Sequence, residues 1–165
     1  MGLEIDKTDF TERDFENFGA RLRDNLKALE MVLARPGFGD GDLSFGAELE
    51  LYIVDKDCRP LHINQEIIAK LDDPQLTLEL NRYNLEYNFN PVLIKDKCFA
   101  ATEQEALAAI DKIHAAAASW GGNVVPIGIL PTLEQSDTGY HAMTKLSRFE
   151  ALTKELTDKI GRAHV

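Results

Sequence analysis

Glu48 and Glu50 are the pair of residues in this chain whose type and spacing first point to chemistry. They stand in the run Phe45-Gly-Ala-Glu-Leu-Glu-Leu-Tyr-Ile-Val-Asp55. There Phe45, Ala47, Leu49, Leu51 and Ile53 alternate with Ser44, Gly46, Glu48, Glu50 and Tyr52. Alternation with a period of two predicts a half-buried β-strand, with the apolar set on one face and both carboxylates on the other. Two such carboxylates stand roughly 6–7 Å apart, the rise of two strand residues. Like charges at that distance repel unless a positive group lies between them, and a hard divalent cation with oxygen ligands is the obvious candidate. Gly46 leaves one side of the strand open to a ligand. The plainer reading is the solvated outer face of an ordinary strand, and on this stretch alone it is the stronger one.

A second polar row lies downstream. Over 84–89, Leu85, Tyr87 and Phe89 fall on one strand face, and Asn84, Glu86, Asn88 and Asn90 on the other. Such a row is either an exposed face or a polar floor for a charged ligand, since Asn both donates and accepts.

Three blocks in order resemble one family. Gly46-Ala-Glu48-Leu-Glu50-Leu-Tyr-Ile-Val-Asp55 resembles the Gly-x-Glu-x-Glu first strand of the second glutamate–cysteine ligase family, which includes ATP-dependent carboxylate–amine ligases. Glu79-Leu-Asn-Arg-Tyr-Asn-Leu-Glu86-Tyr-Asn88 is similar to its next acidic strand. Gly128-Ile-Leu-Pro131, Asp137, Met143-Thr-Lys145 and Arg148-Phe149 resemble its Gly-x-x-Pro and Met-Pro-Lys-x-Arg-Tyr segment. The resemblance covers residues 43–152. Thr144 stands where the family has Pro, Phe149 where it has Tyr, and Leu130 where some members have His. These departures bear on the subfamily and the amine substrate.

The resemblance implies a glutamine synthetase-like fold, a curved antiparallel sheet whose inner face holds Mg²⁺ (or Mn²⁺), ATP and the acid substrate. It implies amide-bond formation: ATP phosphorylates the γ-carboxylate of glutamate, and an amine, that of cysteine in the name-giving members, attacks the acyl phosphate. Negative phosphates must then sit beside a negative carboxylate, and metal ions offset that repulsion. On this basis Glu48, Glu50 and Glu86 are expected to ligate metal, with Glu79 a fourth candidate. Asn84 and Asn88 are expected to line the acid-substrate site. Arg148, with its planar fork, is expected to pair with a carboxylate or phosphate. The rival readings are a carboxylate–amine ligase using another amine and a non-catalytic acidic metal-binding or interaction module.

The elements that must position these residues follow from periodicity and caps. A long amphipathic helix is predicted over 12–34, with Thr11 and Asp14 as a capping box and an apolar stripe of Phe15, Phe18, Leu22, Leu26, Leu29 and Leu33. That stripe is expected to cover the apolar face of the Glu48 strand. The glycine-rich loop after Arg35 lacks a Gly-Lys-Ser/Thr ending and precedes a strand, which rules it out as a phosphate cradle. Asn64 is predicted to cap a short helix to Leu71, and strand segments are predicted over 76–80 and 84–89. Thr102 and Glu105 read as a capping box opening a helix to Trp120, buried through Leu107, Ile110, Ile113 or His114, Ala117 and Trp120. A buried strand is expected over 123–130, a polar loop over 134–143, and a helix from Arg148. The sum is an α+β fold with a mainly antiparallel sheet and flanking helices.

Composition narrows the partners. A net charge of −10 over 165 residues argues against nucleic acid and anionic membrane. No apolar run is long enough to span a bilayer, and residues 1–10 show no signal-peptide pattern. Cys58 and Cys98 are isolated, which makes a reducing cytoplasm the default. The tail Ile160-Gly-Arg-Ala-His-Val165 reads, in one frame, as the translation of a widely used sequencing adapter and is expected to be non-biological. Members of the resembled family are much longer. Residues 1–159 are therefore expected to be the N-terminal part of a single catalytic domain, inactive alone.

Overall fold

The structure, a computed structural model, describes residues 4–160 and, in the last helix, side chains up to Glu155. The predicted adapter-derived tail lies outside the described residues from Gly161 onward. The chain divides into two compact units, one of them Leu43–Lys145 and the other formed by the segments that flank it. Helix and antiparallel sheet are mixed, an α+β arrangement.

The central unit carries the sheet. β1 (Ser44–Phe45) pairs antiparallel with β5 (Val92–Leu93) in a two-stranded ribbon. β2 (Glu48–Val54), β3 (Leu76–Leu78), β4 (Asn84–Asn88) and β6 (Asn123–Val125) form a four-stranded sheet in the order β3-β4-β2-β6, all neighbours antiparallel. The alternation predicted for β2 is present: Leu51 and Ile53 are fully buried while Glu48 and Glu50 are exposed. β6 stops at Val125, short of the predicted 123–130, because Pro126 follows and Ile127 and Ile129 turn out to solvent.

α2 (Asn64–Leu71) and α3 (Cys98–Ala117) cover the apolar face of this sheet. The core joins Leu51, Ile53, Leu76, Leu85, Tyr87 and Val124 to Ile67 and to Ala109, Ile113, Ala116 and Ala117. The alanines bring α3 close to the sheet. At its end Gly121, at φ 72°, breaks the helix, and a Cβ on Gly122 would meet Leu61 at 2.8 Å. Two expectations are corrected here. α3 begins at Cys98, and the Thr102 hydroxyl bonds back to the Cys98 carbonyl inside the helix, so Thr102 and Glu105 form no capping box. Leu107 and Trp120, predicted buried, are exposed, because the buried stripe runs through Ala109, Ile113 and Ala116.

The other unit contains α1 (Glu12–Leu33) and α4 (Ser147–Ile160). The capping box of α1 is present as predicted: Asp14 N–H donates to Thr11 Oγ1 and Asp14 accepts from Thr11 N–H at 2.7 Å. Lys7 and Thr11 hold the Asp14 carboxyl below the usual range. No residue of α1 is buried, and Leu22 is 47% exposed. The segment before α1 meets α4, where Glu4 accepts from Ser147 N–H at 2.7 Å. Among the described residues no helix is long and apolar enough to cross a membrane.

Candidate metal and substrate floor

The ladder between β2 and β4 decides which polar side chains meet. Ile53 N–H donates to Tyr83 O at 2.7 Å, and Phe89 N–H to Ala47 O at 2.9 Å. The odd-numbered residues of β2 therefore carry the hydrogen bonds to β4. The pairs Glu48–Asn88, Glu50–Glu86 and Tyr52–Asn84 are the close, non-hydrogen-bonded kind, with Cα atoms about 4.5 Å apart. On the far side of β4, Thr77 of β3 stands opposite Glu86. One row thus runs Glu50, Glu86, Thr77 across three strands, on the face away from the core.

Glu86 is the centre of that row and only 9% exposed. Its Oε1 accepts from Asn88 Nδ2 at 2.8 Å and from Thr77 Oγ1 at 3.1 Å. Glu79, just past β3, leans toward the same place. Burial is the first cause holding its carboxyl above the ordinary 4.5, and the charge of Glu86, a hydrogen bond with Glu86 and the charge of Glu50 add to it. A bond from Leu80 N–H opposes the shift, and no cation is among the groups acting on it. The charges of Glu86 and Glu50 both act on Glu79, and the donors are hard oxygens, the ligand type that a divalent cation takes. As they stand, the described residues hold no group of three His, Cys, Asp or Glu side chains that would enclose a metal ion.

Glu48, Glu50, Glu79, Glu86, Asn84 and Asn88 all lie in the central unit, on or beside this face. Asn88 uses its amide nitrogen on Glu86, and Asn84 turns its own to the Leu51 carbonyl at 3.4 Å. Both therefore brace the floor. Arg148 lies in the other unit, with its guanidinium 4.6 Å from the Phe149 ring centroid and 3.9 Å from Glu4. Beyond Asn84 the row ends in aromatic rings: Tyr52 stacks on Tyr83 at 6.0 Å, and Tyr83 on His62 at 5.4 Å. Burial first, then Arg82 and His141, pushes the His62 imidazole down from 6.5.

Sequence reasoning missed three residues. Thr77 carried a signal, since Thr77 and Glu79 alternate with Leu76 and Leu78. Asn64 was read as a helix cap. Its side chain makes no cap bond; it is fully buried, and its Nδ2 donates to Asn81 O, Asn84 O and Thr144 Oγ1. Thr144, also fully buried, carried no chemical signal beyond its departure from the resembled family. No family model matches the chain, and no curated protein or solved structure matches it.

Proposed function

We propose that the protein is an ATP-dependent ligase of the glutamate–cysteine ligase type, built on a glutamine synthetase-like sheet and working on small molecules in the cytoplasm. The observation that carries this reading is the clustering of Glu50, Glu79 and Glu86, braced by Asn88 and Thr77, on the face of an antiparallel sheet away from its core. The sequence blocks that resemble the ligase family contribute the three glutamates and Asn88.

On this reading Glu48, Glu50, Glu79 and Glu86 hold Mg²⁺ or Mn²⁺, which supplies charge neutralisation between the nucleotide phosphates and the acid substrate. Glu86 is held in one orientation by Asn88 and Thr77, which fixes the floor before substrate arrives. The γ-phosphoryl group passes from ATP to a γ-carboxylate oxygen of glutamate, releasing ADP. The amine nitrogen then attacks the acyl carbon, phosphate leaves, and the nitrogen gives up a proton. The departures at Leu130, Thr144 and Phe149 favour a second reading, a ligase of the same kind with another amine.

The test is ADP release with Mg²⁺, ATP and glutamate, with cysteine and other amines in turn, for this chain and for longer reading frames that contain it. Release that requires both glutamate and an amine is the expected result, and Glu48→Gln should remove most of it while leaving the fold intact. ADP release independent of glutamate, or full activity in Glu48→Gln, would defeat the assignment. Metal binding without turnover in any reading frame would mark a binding module.

A further inference from the structure

We propose that Thr144 is a positioning residue for the acidic floor, and that with Asn64 it clamps the loop between β3 and β4 from which Glu79 projects. The inference rests on the reading of that floor as a cation site. The clamp is built from two fully buried polar side chains. Thr144 Oγ1 donates to Glu79 O at 2.6 Å and accepts from Asn64 Nδ2 at 2.9 Å. Thr144 N–H donates to Leu80 O at 2.7 Å, and Arg82 N–H to Ala142 O at 2.7 Å, so residues 142–144 pair with 80–82 as a short ribbon. Asn64 closes the other side: its N–H donates to Arg82 O at 3.1 Å, and its Nδ2 reaches Asn81 O and Asn84 O, each at 3.2 Å.

The direction of these bonds fixes the amide orientation. Two backbone carbonyls face the Asn64 amide, and they require a nitrogen there. Oδ1 then points where no described residue meets it. The clamp therefore grips the backbone at Glu79, Leu80, Asn81, Arg82 and Asn84, between the last residue of β3 and the first of β4.

That grip matters because Glu79 is on neither strand. Glu50 and Glu86 are set against each other by the ladder, but the place of the Glu79 carboxyl depends on how its loop is held. Groups outside the ligand set that orient ligands commonly set metal affinity. Proline, usual here in the resembled family, has neither the hydroxyl nor the N–H that Thr144 uses. The clamp is a property of this chain's own sequence.

The experiment uses the whole chain as wild type, Thr144→Val, Thr144→Ala and Thr144→Ser, with Glu79→Gln as a reference. Mn²⁺ binding is followed by the paramagnetic resonance of the free ion. Exchange of the Arg82 and Asn84 amides is followed by NMR, and circular dichroism checks the fold. Thr144→Val should weaken Mn²⁺ binding about tenfold, as loss of an orienting group commonly does. Thr144→Ser, which keeps the hydroxyl, should restore it; Thr144→Ala serves if the valine variant fails to fold. Wild-type affinity in a folded Val or Ala variant overturns the proposal, and so does a Ser variant no better than Val. If the wild type itself binds no Mn²⁺, the cation reading fails and amide exchange decides the clamp. Faster exchange in Val with recovery in Ser upholds it, and unchanged exchange overturns it.

Discussion

Replacing Asn64 by leucine separates a buried bridging residue from a helix cap. Leucine keeps the branched shape of the side chain but is larger, so the change is the loss of one amide plus some crowding at a fully buried site. Three acceptors share its two N–H groups, but they do not lose equally, since Asn81 O keeps the Asn84 N–H at 2.9 Å. A buried acceptor left unpaired costs about 1–3 kcal/mol. Removing Asn64 Oδ1, itself buried without a partner among the described residues, returns part of that. The net expectation is a loss of about 1–2 kcal/mol, against the 5–15 kcal/mol typical of a domain. Urea unfolding followed by circular dichroism should show the midpoint falling by about 0.5–1 M with the slope unchanged. Asn64→Asp is the sharper companion, since it sets an acceptor against acceptors and should cost more than leucine. A loss below about 0.5 kcal/mol in Asn64→Leu would mean that the clamp contributes little. An aspartate variant as stable as wild type would mean that the donor assignment is reversed.

Glu79 gives a pH-dependent prediction. Its folded carboxyl sits above the ordinary 4.5, so over the interval above 4.5 the folded chain keeps a proton that the unfolded chain has lost. Stability from this group is complete below 4.5 and is lost as pH rises through the folded value. Thermal unfolding at a series of pH values should show Glu79→Gln gaining on wild type as pH rises through that interval, and a difference independent of pH would contradict it. The exposure of the α1 stripe sets a second contrast. Ile113→Ala, at a site 1% exposed, should cost about 2–5 kcal/mol, whereas Leu22→Ala, at 47% exposed, should cost less than about 1 kcal/mol. Comparable losses in chemical unfolding would show that α1 is covered in solution.

Much of the fold was legible where local rules and tertiary packing agree. The Thr11 and Asp14 box names the start of α1, and the alternation in 45–53 and 84–89 names β2 and β4 with their faces. The errors fall where two local rules compete. Thr102 and Glu105 have the spacing of a box, yet Lys97 stands at the start of α3, and Glu105 instead accepts from Gln75 Nε2 at 2.9 Å and from Asn90 N–H at 3.2 Å. An amphipathic stripe states that a helix wants a covering, not which surface provides it.

The candidate site was half legible for a related reason. Alternation states which residues share a face of one strand, but only the register between strands says which of them touch, and a shift of one residue would have set Glu50 against Leu85 or Tyr87. The pairing of Glu50 with Glu86 is thus a tertiary fact, fixed by the burial of Leu49, Leu51, Leu85 and Tyr87 on the opposite face. The apolar core and the acidic floor are in this sense one specification: the side chains that exclude water on one side of the sheet bring the like charges together on the other. What the sheet cannot specify is Glu79, which stands beyond the last ladder residue of β3. Its place is left to hydrogen bonds from residues 15 positions before and 65 positions after it, Asn64 and Thr144. Asparagine just ahead of a helix looks the same in sequence whether it caps or bridges, and a lone threonine carries no pattern at all. A floor assembled this way has its charges written in strand periodicity and its accuracy written in isolated residues. Substitutions that spare every carboxylate can therefore still displace the site.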